Sequence, residues 1–418
     1  MNTSLRERIP APVLELARTL DREGERTWIV GGCIRDLLLG RTVSDWDLAT
    51  SAKPQRVQKI FPRTIPTGIA HGTVTVMHRG IAYEVTTLRG EGAYSDGRRP
   101  DSVYFVDDIR DDLERRDFTV NAIAYDPNAD VLVDPFEGRK DLDERVLRAV
   151  RDPVLRFRED GLRILRATRF VATLELALDR ATEDAIPGAL DVLAKVSRER
   201  MRDEWMKTMK AREPSIGFRL MRRLGVLGVV APALAKTDED AFERALVALD
   251  RASDPLVRHA ALASSLGVGE DAARASESVF RELRYSNDER RTISDLLRFA
   301  DVADRRTLGR PQARRHLRRV GRERIDGFLE FERARDDSVD GEATQAWARS
   351  VNEERDAGMI FEARELAMRG DEVADRVGRG PIVKETLERL LAYVDEDPSN
   401  NRHDLLLARI DAARGAPT

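Results

Sequence analysis

Apolar positions change period several times in the first third of the chain. Over residues 10–23, PAPVLELARTLDRE, they recur at three- and four-residue spacing and predict an amphipathic helix. RTWIVGG is a short β-rich run that stops at two glycines, and CIRDLLLG reads as a helix turning at Gly40. SDWDLAT, GTVTVMHR and IAYEVTTLR alternate or are β-branched and predict strands. The stretch 90–102, GEGAYSDGRRPDS, is Gly-rich, charged and loop-like. From about Asp141 onward helical spacing dominates and clear strand signals almost vanish. The pattern predicts an α/β head followed by a long all-α remainder. DDSVDGEA (336–343) and DEDPSNN (395–401) are breaks within that remainder.

Composition narrows the class. A chain of 418 residues is too long for one ordinary core. Its 41% hydrophobic content suffices for folded domains, and its 35% charged content favours long exposed helices. The formal net charge of −4 gives no global positive field, so any nucleic acid must be held by local patches. The single cysteine, Cys33, rules out an intramolecular disulfide. No signal peptide and no long apolar run are evident, which predicts a soluble cytoplasmic protein.

The densest chemistry lies in WIVGGCIRDLLLGRTVSDWDLAT, Trp28 to Thr50. In a strand, side chains two apart share a face, so Asp45 and Asp47 would point together with Trp46 on the other side. Paired carboxylates repel unless a cation lies between them, and oxygen ligands of this kind suit Mg²⁺, which also takes substrate phosphates. A pair of such ions about 4 Å apart activates a hydroxyl and stabilises leaving pyrophosphate. Gly31 and Gly32 let backbone N–H groups approach a triphosphate at a helix start. Arg35, one turn on, reaches the same phosphates. Alone, Asp-x-Asp is usually a solvated strand end; the order Gly-Gly, Arg-Asp, Asp-x-Asp across strand, helix and strand points to nucleotide chemistry.

These residues resemble the signature of the nucleotidyltransferases that include bacterial CCA-adding enzymes and poly(A) polymerases. The resemblance continues, in order, through RRDFTVNAIAYD (115–126), DPFEGRKDLDERVLRAVRDP (134–153), RFREDGLRILRATRF (156–170) and VSRERMRDEWMKTM (196–209), roughly the first half of the chain. It implies a polymerase-β-like head with a small mixed sheet over 1–140. A helical neck over 141–210, a body over 211–300 and an RNA-binding tail over 301–418 would follow. It implies that Asp45 and Asp47 hold Mg²⁺, and that Gly31, Gly32 and Arg35 hold the triphosphate. Arg116 and Asp117 would contact the sugar and phosphates, supported by Asn121. Asp160 and Arg163 would read the base, and Arg166 and Arg169 match further nucleotide-site positions. Glu84 is either a third carboxylate near the metals or one half of a salt bridge. The implied substrates are CTP, ATP and a tRNA 3′ end.

The base-reading pair also follows from chemistry. Residues 160 and 163 read as i, i+3 neighbours on one helix face. A carboxylate only accepts hydrogen bonds and a guanidinium only donates them. Cytosine and adenine each present a ring-nitrogen acceptor beside an amine donor. Uracil and guanine present the reverse. On the same helix, Arg169 is half a turn out of phase with Asp160 and is expected on the other side.

Between family members, GIAHGTV (68–74) resembles the CCA-adding type, and the basic, aromatic pattern of the poly(A) polymerases is missing. The stretch 89–105 resembles the full loop that enzymes adding only CC lack, which favours competence for adding A. Two positions depart from the family pattern: Arg151 stands where Gly is usual, and Leu88 where Phe is usual. Two rivals are an RNA-binding relative without chemistry, disfavoured by the intact carboxylates, and a small-molecule nucleotidyltransferase, disfavoured by the long helical half.

In that helical half, residues 258–269 faintly resemble an HD-type region. Its metal pair falls on Ser264 and Ser265, so no phosphohydrolase is expected, and nearby His259 reads as structural. Nine arginines and one acid, Glu323, fall between Arg305 and Arg324. That run is either a contact to RNA phosphates or a solvated helix face. LAMRGDEV (366–373) and residues 380–401 loosely resemble the tail segment that grips the tRNA elbow.

Overall fold

The computed structural model describes residues 5–91, 103–300, 309–336 and 342–414. The chain divides into two compact units, Met1–Val230 and Ala231–Thr418.

In the first unit, helix α1 (Ala11–Arg22) buries Val13, Leu16, Ala17 and Leu20, the i, i+3, i+4, i+7 stripe of the sequence. Strand β1 (Thr27–Val30) is buried along its whole length, as its unbroken apolar run requires. Helix α2 (Gly32–Leu38), β2 (Asp47–Thr50), α3 (Pro54–Ile60), β3 (Thr64–Gly68), β4 (Thr73–His78) and β5 (Ile81–Thr87) follow. A small hairpin-like pair, β6 (Arg89–Glu91) and β7 (Val103–Phe105), leads to α4 (Ile109–Glu114), then β8 (Ala124–Asp126) and β9 (Val131–Val133). Seven strands make one mixed sheet in the order β3-β4-β5-β2-β1-β8-β9. Strands β2 and β5 pair in parallel, and the other neighbours are antiparallel.

The predicted strand over SDWDLAT is shorter than expected. It begins at Asp47, and Asp45 and Trp46 lie in the segment before it. Of the expected loop over 90–102, Gly90 and Glu91 belong to β6, and the rest, with the argument drawn from it, lies outside the described residues. Leu88 is fully buried in the core formed by Trp28, Val30, Ala49 and Leu113, so an aliphatic side chain fills that place here.

After the sheet come α5 (Gly138–Asp143), α6 (Pro153–Glu159), α7 (Leu162–Leu174), α8 (Arg180–Ala185), α9 (Leu190–Leu193), α10 (Arg198–Met209), α11 (Ser215–Arg223) and α12 (Val226–Val230). The unit ends at Val230 and includes α11, which packs on α7. Gly217 allows this: a Cβ there would stand 2.8 Å from the Thr208 side chain and 3.2 Å from the Thr168 carbonyl.

The second unit is helical, with no strand among the described residues. His259 is fully buried, bonded to the Pro255 carbonyl and, at 2.7 Å, to the Tyr285 hydroxyl, so it is a core residue. Near its end, the helix Pro381–Glu396 breaks at 397–401 before His403–Arg414, where the sequence placed a break. The last helices share an apolar core that includes Leu366, Val373, Leu390 and Leu406.

Candidate active site

At the C-terminal end of β1, Gly31 has φ +76°, a conformation that side-chain-bearing residues avoid. A Cβ there would lie 2.7 Å from Nη1 of Arg116. The Gly31 N–H donates to the Ile123 carbonyl at 3.1 Å, so it is used in the sheet. The missing side chain makes room for Arg116, and Gly32 opens the first turn of α2. Arg35, on that helix, is buried, donating to both oxygens of Asp36 at 2.9 Å and to the Asn121 side chain at 2.6 Å.

Asn121 in turn donates to Asp117 at 3.0 Å. The other Asp117 oxygen accepts from Arg166 Nε at 2.7 Å. Burial opposes ionisation of Asp117, but Arg166, the Asn121 amide and Arg163 outweigh it and hold the pKa at about 2. Beside this chain of bonds, Asp112 on α4 is buried and splits its carboxylate. One oxygen accepts from Arg115 at 2.8 Å, the other from Arg116 at 3.1 Å. The two guanidiniums overcome the cost of its burial and keep its pKa below the ordinary value.

Asp47 and Glu84 are register partners on the parallel strands β2 and β5, and Asp45 lies in the segment just before β2. All three are exposed by area. The protein packed around Asp47, with the charges of Glu84 and Asp45, pushes its carboxyl above the usual range against the pull of Arg116. Mutually repelling carboxylate oxygens favour a nearby cation, although among the described residues no three acidic, histidine or cysteine side chains converge on one point.

The neck does not form the single helix expected across 160–163. Helix α6 ends at Asp160, whose backbone is extended (φ −141°, ψ 105°), and α7 begins at Leu162. Gly161 lets this turn pack closely, since a Cβ there would stand 2.5 Å from the Leu193 amide nitrogen. One Asp160 oxygen accepts the Leu162 N–H at 3.0 Å, and the other meets Arg200 of α10 at 2.7 Å. Arg163 is buried and donates to Glu159 at 2.6 Å and to the carbonyls of Arg156 and Arg115.

Because Asp160 is off the helix, the phase argument against Arg169 fails. Arg163, Arg166 and Arg169 follow one another at three-residue spacing along α7, and all three line the cleft. Arg169 lies 2.8 Å from Glu204 of α10 and 4.0 Å from the ring centre of Phe170. Burial depresses its pKa to about 10.

These residues surround a cleft of about 730 Å³ lined by eight arginines and three aspartates, so its field is strongly positive despite the acidic chain. Gly31, Gly32, Arg35, Asp47, Arg116, Asp117, Asp160, Arg163, Arg166 and Arg169 all line it. Asp45 and Glu84 do not; they line an adjoining cavity that shares Asp47. Sequence reasoning missed Asp112, Arg115, Arg200 and Glu204. The signal for Asp112 was an acid three and four residues before an Arg-Arg pair. Arg200 and Glu204 are one helical turn apart on α10 and gave no local signal.

Arg151 has φ +57°, the left-handed region that explains the usual glycine there. Its guanidinium pairs with Glu114 at 2.6 Å. In the second unit the arginine run is described from 309 onward. Arg314 is buried against Glu354 at 2.5 Å, Arg318 pairs with Asp395, and Arg322 with Glu365 at 2.5 Å. These arginines tie helices together.

A mixed sheet with carboxylates at one strand's start, facing an arginine-lined cleft closed by helices, defines a nucleotidyltransferase head. Residues 27–148 match the poly(A) polymerase head domain, and residues 156–237 match the probable RNA- and SrmB-binding site of polymerase A. The chain is 37% identical to the CCA-adding enzyme of Geobacillus stearothermophilus over 402 residues, 94% of this chain and 95% of that one. It is 46% identical over 226 residues to that of Geobacillus thermodenitrificans, a match spanning 54% of this chain and 55% of the relative. The crystal structure of the Bacillus stearothermophilus CCA-adding enzyme in complex with CTP superposes with a TM-score of 0.80 at 34% identity, covering 97% and 98% of the two chains. This chain belongs to the family of CCA-adding enzymes. Among the described residues no helix is long and apolar enough to cross a membrane.

Proposed function

We propose that this chain adds CCA to the 3′ end of tRNA from CTP and ATP, without a template, releasing pyrophosphate. One observation carries the reading: a single cleft is lined by Asp47, by Asp160 and Arg163, and by eight arginines. Asp45 and Asp47 would hold Mg²⁺, which would supply positive charge for the attacking 3′-oxygen and the leaving pyrophosphate.

The chain's own residues do the rest. Arg35 and the first turn of α2 hold the triphosphate, and Arg116, set by Asp112, meets it from the other side of Gly31. Asp117 and Asn121 orient the sugar. Asp160 accepts the amine of cytosine or adenine, and Arg163 donates to the ring nitrogen. Arg163 has five N–H donors, and three are committed to Glu159 and two carbonyls, which leaves donors for the base. Uracil and guanine present a carbonyl to Asp160 and an N–H to Arg163, so both bonds become repulsions. The attacking group is the tRNA 3′-hydroxyl, and catalysis is positioning plus charge neutralisation. The helical second unit holds the folded RNA by shape, in the cytoplasm.

Extension of three tRNA transcripts, ending before CCA, after C and after CC, tests this at single-nucleotide resolution with Mg²⁺ and CTP, ATP or both. The expected result is completion to CCA on all three, with a stop there. A single A on the CC-ended tRNA alone makes it an A-adding enzyme. A long A ladder makes it a poly(A) polymerase.

A further inference from the structure

Arg200 is a second arginine at the base end of the cleft, and its hydrogen bonding is incomplete. Its Nη2 donates to Asp160 at 2.7 Å. Its Nη1 is buried and has no hydrogen-bond partner among the described residues. A buried unmade donor costs free energy, and the cost is recovered when a ligand supplies the acceptor. Arg200 comes from α10, whereas Arg163 comes from α7, so two guanidiniums of different origin share the pocket with Asp160.

The two substrate bases differ in what flanks the amine. In adenine the N6 amine lies between two acceptors, ring N1 on one side and ring N7 on the other. In cytosine the N4 amine has the N3 acceptor on one side and a C5–H on the other. With the amine on Asp160 and N1 or N3 on Arg163, an arginine bonded to Asp160 meets N7 in adenine and a C–H in cytosine.

We infer that Arg200 is a specificity residue for the A step, donating from Nη1 to adenine N7. The inference rests on Asp160 and Arg163 reading the base. Arg200 then separates the two substrates that those residues treat alike. It satisfies its buried donor when adenine is bound and leaves it unmade when cytosine is bound. The contact is made to the base through Asp160, so it acts on base identity and not on triphosphate affinity.

The test uses the full chain, Mg²⁺ and a tRNA ending in CC, comparing ATP with 7-deaza-ATP, which replaces N7 by C–H and keeps N1 and N6. The wild type is expected to use 7-deaza-ATP about tenfold less efficiently in kcat/KM, the scale of one buried hydrogen bond. Arg200→Lys keeps a cation for Asp160 and removes Nη1. In that variant ATP and 7-deaza-ATP are expected to be used equally, and the ratio of ATP to CTP efficiency to fall about tenfold. Equal use of the two nucleotides by the wild type overturns the inference, whatever the variant does. So does retained discrimination in Arg200→Lys, or an equal loss for CTP and ATP. The underlying reading fails separately: it is lost if Asp160→Ala still rejects UTP and GTP.

Discussion

Arg166 and Asp117 meet two nitrogens to one oxygen, Nε at 2.7 Å and Nη2 at 2.5 Å from the same Oδ2. The second Asp117 oxygen is thereby free for the Phe118 N–H and the Asn121 amide, at 2.9 and 3.0 Å. One carboxylate thus joins the sheet side of the cleft to α7. Its pKa of about 2 lies below the ordinary 3.8. A depressed carboxylate contributes stability that is complete above the ordinary pKa and is lost as pH falls through the folded one. The difference corresponds to about 2 kcal/mol. Urea unfolding of Asp117→Asn should therefore show a shallower loss of stability between pH 3.8 and about 2 than the wild type. An equal slope in both proteins would refute the assignment.

Gly31 sets up a steric prediction. Gly31→Ala places a methyl at φ +76°, 2.7 Å from Arg116 Nη1. The backbone strain is expected to cost about 1–3 kcal/mol. Displacement of Arg116 should raise KM for CTP and ATP together, since both carry the same triphosphate. Gly32→Ala has room, its nearest neighbour being Arg35 Nη2 at 3.5 Å. It should be much milder in thermal unfolding and in KM. If Gly31→Ala is as mild as Gly32→Ala, the packing role is wrong.

Local chemistry made most of this site legible in the sequence. Gly31, Gly32, Arg35, Asp47 and Arg116 sit within or beside strand–turn–helix signals, and α7 has helical spacing. Legibility ended where tertiary contacts decide. The break at Asp160 sits where Gly161 packs against Leu193 of another helix and Asp160 meets Arg200 of α10, contacts that no window of sequence contains. Misreading that break as continuous helix put Arg169 on the wrong side. Arg200 and Glu204 pair with residues of α7 and its preceding turn across the intervening helices α8 and α9, a separation that hides the pairing in the sequence. The arginine run after 305 left two readings open because burial of Arg314 against Glu354 is invisible in one dimension.

Arg314 and Arg319 should behave oppositely. Arg314 is buried, bonded to Glu354 at 2.5 Å and to the Asp395 carbonyl at 2.6 Å. Arg314→Ala strands Glu354 in the interior and should destabilise the second unit by about 3–5 kcal/mol. Arg319 stacks over Phe299 at 5.9 Å, and Arg319→Ala should cost about 1 kcal/mol or less. Calorimetry resolves the two. If Arg314→Ala leaves unfolding unchanged and weakens only tRNA binding, the run serves RNA and not the fold.

Asp47 is where stability and chemistry conflict. Its carboxyl is pushed above the usual range by the protein around it, by Glu84 and by Asp45. A raised carboxylate pKa means that the folded state resists the charge, so stability falls as pH rises through that pKa. At neutral pH without divalent metal, Asp47→Asn removes the repulsion, and Tm should rise by about 1–2 °C. Adding Mg²⁺ should raise the wild-type Tm, because the cation neutralises the cluster, and should move the variant's Tm much less. Nucleotide addition should fall on the order of 10³-fold in the same variant, the loss of one developing-charge stabiliser, while tRNA gel-shift affinity stays unchanged. The set of readouts separates the alternatives. A variant that loses Tm, activity and tRNA binding together has only been unfolded. A variant that keeps activity and its Mg²⁺ response shows that the metal carboxylates lie elsewhere.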